Sequence, residues 1–160
     1  MLTKRWISVE DFRMMAQSHQ EFLNASQLTT LEGALLPEEF LKDIVEKYAG
    51  QPEWIGFLAI RDDQILGSGA FKDPPTEGWT EIGYGVAPLA EGQGVATQIT
   101  AWLCEYAASK GATVVRANTL PIAPASQRVL EKNGFVFVGI FEDPEDGTVH
   151  RFEKQLSQNH

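Results

Sequence analysis

At 160 residues, with 22 acidic against 13 basic side chains and a formal charge of -9, the chain is sized for one domain and repels a phosphate backbone. Hydrophobic residues make up 43% and charged residues 22%, a balance that excludes disordered and fibrous classes. The single cysteine, Cys104, excludes an internal disulfide, and no apolar run approaches the length of a membrane span or signal peptide, so a cytoplasmic protein that binds neither nucleic acid nor membrane is expected.

Lys4 to Ile7 can form a short strand. Ser8-Val-Glu-Asp11 reads as a capped helix start, and Phe12, Met15, His19, Phe22 and Leu23 follow at helical spacing, so one helix is expected there. A second helix starts at Pro37, has Glu38 and Glu39 in its first turn, carries Phe40, Leu41, Ile44, Val45 and Tyr48 on one face, and stops at Gly50. The residues between these helices fit neither period. From Trp54 the pattern becomes strand-like: Trp54 to Ile60, a polar turn at Arg61-Asp-Asp-Gln64, then Ile65 to Phe71 predict an antiparallel pair.

A loop from Lys72 to Gly78 leads to a strand over Trp79 to Val86, which Pro88 ends because it cannot donate to a ladder. Val95, Ile99, Trp102, Leu103, Tyr106 and Ala107 mark a helix that runs to Gly111. A strand at Thr113 to Ala117, a helix from Pro124 to Asn133 closed by Gly134, and a hairpin of Phe135 to Phe141 with Val149 to Lys154 complete the order. A strand-helix-strand unit in an otherwise antiparallel order predicts an α/β (α+β) fold. Its central sheet is mixed and mostly antiparallel, with one parallel strand pair joined by a right-handed crossover and helices flanking it, in a single domain over 1–160.

The stretch Val86-Ala-Pro-Leu-Ala-Glu-Gly-Gln-Gly-Val-Ala-Thr97 sets two glycines between a strand and a helix. The first N–H groups of a helix lack intrahelical partners and attract anions, and glycines let an anion reach them without a Cβ in the way. A tight turn that binds nothing would use the same glycines. A Walker loop is excluded because no lysine follows Gly94 closely, and a dinucleotide fingerprint because Thr97 stands where a third small residue is needed.

Ile82-Gly-Tyr-Gly-Val-Ala-Pro88 followed by Glu91-Gly-Gln-Gly-Val-Ala-Thr97 resembles the acetyl-CoA loop of the GNAT acetyltransferases. Ala125-Ser-Gln-Arg-Val-Leu-Glu-Lys-Asn-Gly-Phe135 and Asp143-Pro-Glu-Asp-Gly-Thr-Val149 extend the likeness to the ribosomal-protein N-terminal acetyltransferase branch. The resemblance implies the GNAT fold and an acetyl-CoA-dependent N-acetyltransferase without metal. It places the coenzyme A pyrophosphate on the backbone of Gly92, Gly94, Val95, Ala96 and Thr97, and the pantetheine arm beside Val86. The expected acceptor is a primary amine, either a small molecule or a protein N-terminus, and a monomer or homodimer is expected. Glu91 departs from the family, which has Arg or Gln there.

Acetyl transfer to an amine needs a neutral nucleophile, a site for the developing oxyanion and a proton for the leaving thiolate. By resemblance, Glu81 is the catalytic base and backbone N–H groups near Gly85 and Val86 hold the oxyanion; a base needs partial burial, and Tyr84 and Trp79 can supply an apolar wall. Glu81 can also be an ordinary strand carboxylate. Ser126 is assigned contact with the coenzyme thiol or proton donation to it, against a simple first-turn hydroxyl. Leu130 stands where many members carry a tyrosine acid, and Ala123 where an asparagine is common. With Glu91 these departures leave an alternative: a non-catalytic acyl-CoA-binding sensor or interaction module. Cys104 lies mid-helix, which argues against a covalent thiol intermediate. The loop Glu142 to Asp146 can line the acceptor entrance and favour a cationic amine but is expected to be solvated, Arg128 and Lys132 to meet a 3′-phosphate or to pair with Glu131 and solvent, and His19, His150 and His160 to bind no metal.

Overall fold

The computed structural model describes residues 1–48, 56–72 and 77–156, apart from the side chains of Phe40, Ile44, Lys47 and Tyr48. The chain divides into two compact units: Met1–Ala70 with Tyr84–Ala96, and Phe71–Gly83 with Thr97–His160. The strand residues Trp54 and Ile55, the stop at Gly50, most of the loop after Lys72, and His160 lie outside the described residues.

In the first unit, β1 (Thr3–Trp6) pairs antiparallel with β3 (Gly56–Arg61), and β3 with β4 (Gln64–Phe71). The turn between β3 and β4 is made by Asp62 and Asp63, both at positive φ (52° and 60°), a conformation whose twist matches paired strands. The capping box expected at Ser8 is present: its hydroxyl accepts from the Asp11 N–H, and the Asp11 carboxylate accepts from the Ser8 N–H. The helix that follows is not continuous. It divides into α1 (Val9–Gln17) and α2 (His19–Ser26), because Ser18 turns to extended backbone (φ -163°, ψ 122°) and its hydroxyl caps a new helix by accepting from the Glu21 N–H. The apolar spacing survives the break, since Phe12, Met15 and Phe22 are all buried.

α3 (Glu38–Tyr48) follows as expected, with Leu41 buried. Between α2 and α3, β2 (Thr29–Thr30) pairs parallel with β4. Two residues are too few to carry a period, so this pairing could not be read from sequence.

In the second unit, β5 (Trp79–Val86, entering this unit through Gly83) pairs parallel with β6 (Val114–Thr119), as the strand-helix-strand reading requires. β8 (Gly147–Gln155) runs antiparallel to β6, and β7 (Val136–Asp143) antiparallel to β8. Helices α4 (Val95–Ser109) and α5 (Pro124–Lys132) fall where the spacing predicts. β6 and the first half of β5 alternate between buried and half-buried residues, whereas β7 is exposed along most of its length. Thr80, Ile82, Val115, Ala117, Thr119 and Phe152 are buried with Ile99, Leu103 and Leu130, while Glu81, Arg116, Asn118, Arg151 and Glu153 share the opposite, half-buried face. Each Leu, Ile or Phe buried in this way stabilises the fold by about 1.5–3 kcal/mol relative to exposure. One face of this sheet is thus a core wall and the other a polar platform.

Candidate active site

The glycine loop begins where β5 ends. Pro88–Ala90 forms a single 3-10 turn, Glu91 is extended and exposed, Gly92 and Gly94 take left-handed φ of 77° and 80°, and α4 starts at Val95. The conformation needs glycine at both positions. No atom lies within 4 Å of where a Cβ would stand on either one, so the space over the loop is open. Val95 is buried and anchors the helix start.

Gln93, between the two glycines, accepts a hydrogen bond from Arg61 Nη1 at 3.0 Å and donates to the Leu89 carbonyl at 3.4 Å. Arg61 thereby brings a guanidinium to a loop whose own sequence carries only the Glu91 charge. Val86 is half-buried and followed by an Ala87 N–H that donates to the Leu66 carbonyl at 2.9 Å. Gly67 on β4 allows a close approach there: a Cβ on it would stand 2.5 Å from the Gly85 carbonyl oxygen. Ala96 and Thr97 are half-buried, and the Thr97 carbonyl accepts from Asn133 Nδ2 at 3.2 Å within the second unit.

Glu81 occupies the polar platform of the second unit, with its side chain 13% exposed. Its Oε2 lies 3.1 Å from Lys72 Nζ and accepts from Asn118 Nδ2 at 3.4 Å. Asn118 is oriented by Arg151, whose Nε donates to its Oδ1 at 3.1 Å, and Lys72 Nζ also reaches Asp146 Oδ2 at 3.7 Å. Burial opposes the charge on Lys72, but the attraction and hydrogen bond of Glu81, with Asp146 and Asp143 beyond, outweigh it and raise its pKa above the ordinary 10.5.

Trp79 is engaged by Arg116, whose guanidinium carbon lies 4.3 Å from the ring centroid, while Arg116 also pairs with Glu153 at 3.0 Å. Within the second unit Glu81 thus has charged neighbours, and Trp79, expected to give it an apolar wall, packs against Arg116. Asp146 is an ion-pair partner, so the acidic loop is not merely solvated. Asp143 organises that loop by accepting from the Glu145 and Asp146 N–H groups, which lowers its pKa.

Ser126 sits in the first turn of α5 and is half-buried. The cap position is Ala123, which has no capping side chain. Leu130 is fully buried, so the place of the tyrosine acid is part of the core. Thr119, at the end of β6, is 6% exposed, and its hydroxyl finds no partner among the described residues. No sequence signal marks it, because a threonine in a strand is unremarked.

The Cys104 thiol is buried, and burial pushes its pKa up to about 11, which disables it as a nucleophile. Its geometry agrees with the mid-helix argument. His19 Nε2 lies 2.8 Å from the Leu36 carbonyl, and His150 Nδ1 lies 3.3 Å from Gln127 Nε2, with Phe137 against its ring. Among the described residues no group of His, Cys, Asp or Glu is placed to hold a metal ion, and no helix is long and apolar enough to cross a membrane. Arg128 and Lys132 are exposed.

No curated protein matches the chain in sequence. Among solved structures, a Salmonella typhimurium protein solved with its cofactor acetyl-CoA superposes with a TM-score of 0.69 at 17% identity, covering 99% of this chain and 95% of that one. The ribosomal L7/L12 alpha-N-protein acetyltransferase RimL, in complex with coenzyme A, gives 0.71 at 17% identity, covering 99% and 96%. A spermidine N-acetyltransferase chimera built from Vibrio cholerae SpeG and hSSAT gives 0.68 at 16% identity, covering 96% and 95%. At these identities the likeness concerns the fold. The model of the acetyltransferase (GNAT) domain matches residues 2–136, and the chain belongs to that family of acetyltransferases.

Proposed function

We propose that the chain transfers the acetyl group of acetyl-CoA to a primary amine by direct attack, in the cytoplasm and without a covalent enzyme intermediate. The observation that carries this reading is the pair of left-handed glycines, Gly92 and Gly94, opening α4 beneath empty space: a phosphate fits where any Cβ would intrude. Gly92, Gly94, Val95, Ala96 and Thr97 would hold the pyrophosphate and Val86 the pantetheine arm, with Arg61 offsetting the charge of Glu91. Bound acetyl-CoA supplies an activated thioester.

The protein's own groups then have three tasks. Glu81 takes the proton that the acceptor ammonium must lose before its nitrogen can attack. Backbone N–H groups at Gly85 and Val86 would hold the developing oxyanion, and Ser126 would contact or protonate the departing thiolate. The acceptors named for two structural neighbours, a ribosomal-protein N-terminus and spermidine, are both amines that arrive as cations, and a net charge of -9 favours their approach.

The burial of Leu130 and the pairing of Glu81 with Lys72 also favour a second reading, an acyl-CoA sensor without turnover. Thermal unfolding with acetyl-CoA tests the cradle shared by both. Ligand at 100 times its dissociation constant adds about 2.7 kcal/mol, so Tm should rise by roughly 5–10 °C for a chain of this size. No shift at millimolar acetyl-CoA would refute binding at the glycine loop.

A further inference from the structure

We propose that Lys72 is an internal occupant of the acceptor site: its ammonium holds Glu81 in the free protein and is exchanged for the ammonium of the incoming amine. The inference rests on the reading of Glu81 as proton acceptor, and it narrows the acceptor to primary aliphatic amines that are protonated in solution.

The contacts converge on this exchange. Lys72 Nζ lies between two carboxylates, 3.1 Å from Glu81 Oε2 and 3.7 Å from Asp146 Oδ2. The Lys72 backbone N–H donates to the Glu81 carbonyl at 2.7 Å, so the main chain is pinned and only the side chain can leave. Gly83, two residues beyond Glu81 on the same face of β5, makes room for the stem: a Cβ there would stand 3.3 Å from Lys72 Cε and 3.9 Å from Cγ. A primary ammonium on an aliphatic stem thus lies along the strand with its charge at the proposed base. An acceptor amine would present the same group.

The exchange is physically accessible. The Lys72 side chain is 40% exposed and Glu81 13%, so the ammonium can turn out to water on its flexible stem while the carboxylate stays in place. It also has a steric consequence: while Lys72 is home, its ammonium occupies the Glu81 oxygen that an acceptor ammonium would use. The other charges facing Glu81 are already committed: Arg116 across on β6 to Glu153 of β8, and Arg151 of β8 to Asn118. Asp146 and Asp143, from the hairpin, act on Lys72. Lys72 is accordingly a positioning residue.

The test compares the wild-type chain with Lys72→Met and Lys72→Arg, using spermidine and an unblocked hexapeptide as acceptor probes. Lys72→Met should lower the acceptor KM several-fold with kcat little changed. Lys72→Arg should restore the wild-type KM. A Lys72→Met protein that loses kcat and Tm with its acceptor KM unchanged would make Lys72 a structural strut and overturn the proposal.

A second readout needs no turnover: acetic anhydride labelling followed by mass spectrometry. Lys72 should react several-fold more slowly than exposed Lys110 and Lys132 in the wild type and catch up in Glu81→Gln. Equal rates in both proteins would overturn the exchange alone. Absence of turnover with any amine, in the wild type and in Lys72→Met, would instead overturn the functional reading and the exchange with it.

Discussion

Replacing Gly94 by alanine separates a phosphate cradle from a mere turn, because the two readings assign the lost methyl-sized space to different purposes. At φ 80° an alanine costs about 1 kcal/mol of left-handed strain. No atom within 4 Å adds a clash, so stability should fall by that amount and Tm by about 2–4 °C. Binding should suffer more. The new methyl occupies the space through which an anion reaches the loop N–H groups, and losing one charge-assisted hydrogen bond costs about 1.5–3 kcal/mol, or roughly ten- to a hundredfold in Kd. Calorimetric unfolding and acetyl-CoA titration on the same sample measure both. Gly111→Ala is the control: its φ is 88°, its surroundings are equally open, and it lies beyond the far end of α4. It should show the same loss of Tm with unchanged Kd. If Gly94→Ala also leaves Kd unchanged, the cradle argument is refuted.

Glu91→Gln should tighten acetyl-CoA binding, since a carboxylate about 6 Å from a phosphate charge costs about 1–3 kcal/mol. The gain should shrink in titrations at high salt, and an unchanged Kd would mean that Glu91 points away. Thr119→Val should raise Tm by about 2–4 °C in a melting scan by removing an unpartnered buried hydroxyl; a lower Tm would reveal a hidden partner. Cys104, with its pKa pushed up to about 11, should resist iodoacetamide at pH 8 until the chain unfolds, and ready labelling of the native protein would contradict its burial. Lys72 has a raised pKa in the folded state, so its contribution is present below its unfolded value of 10.5 and lost as pH rises through the folded one. Urea unfolding should find the wild type ahead of Lys72→Met by under about 1 kcal/mol at pH 7.5, given the partial exposure of Lys72, with the lead shrinking as pH rises above 10.5.

The elements that sequence reading locates share a local signature. α4 and α5 are bounded by glycines at 94, 111 and 134 and carry apolar residues in phase, so period and punctuation agree. The break at Ser18 is hidden because His19 and Phe22 remain in helical phase with Phe12 and Met15; only the Ser18 hydroxyl, bonded to the Glu21 N–H, divides the helix. The cradle is legible for the same local reason, as two glycines between strand and helix. The surroundings of Glu81 are not. Lys72, Asn118 and Asp146 come to it from a loop, a parallel strand and a hairpin, and the register that joins them depends on the folded sheet. Arg61 and Gln93 are likewise far apart in sequence and joined only by tertiary structure.

The central claim is acetyl transfer to an amine through Glu81, and the most direct measurement is release of free coenzyme A thiol from acetyl-CoA across a panel of amines, in the wild type and in Glu81→Gln. The account predicts amine-dependent thiol release, matched by acetylated amine in the mass spectrum, and a loss of about a hundredfold or more in Glu81→Gln. Binding of acetyl-CoA with no amine-dependent release, or release undiminished in Glu81→Gln, would contradict it.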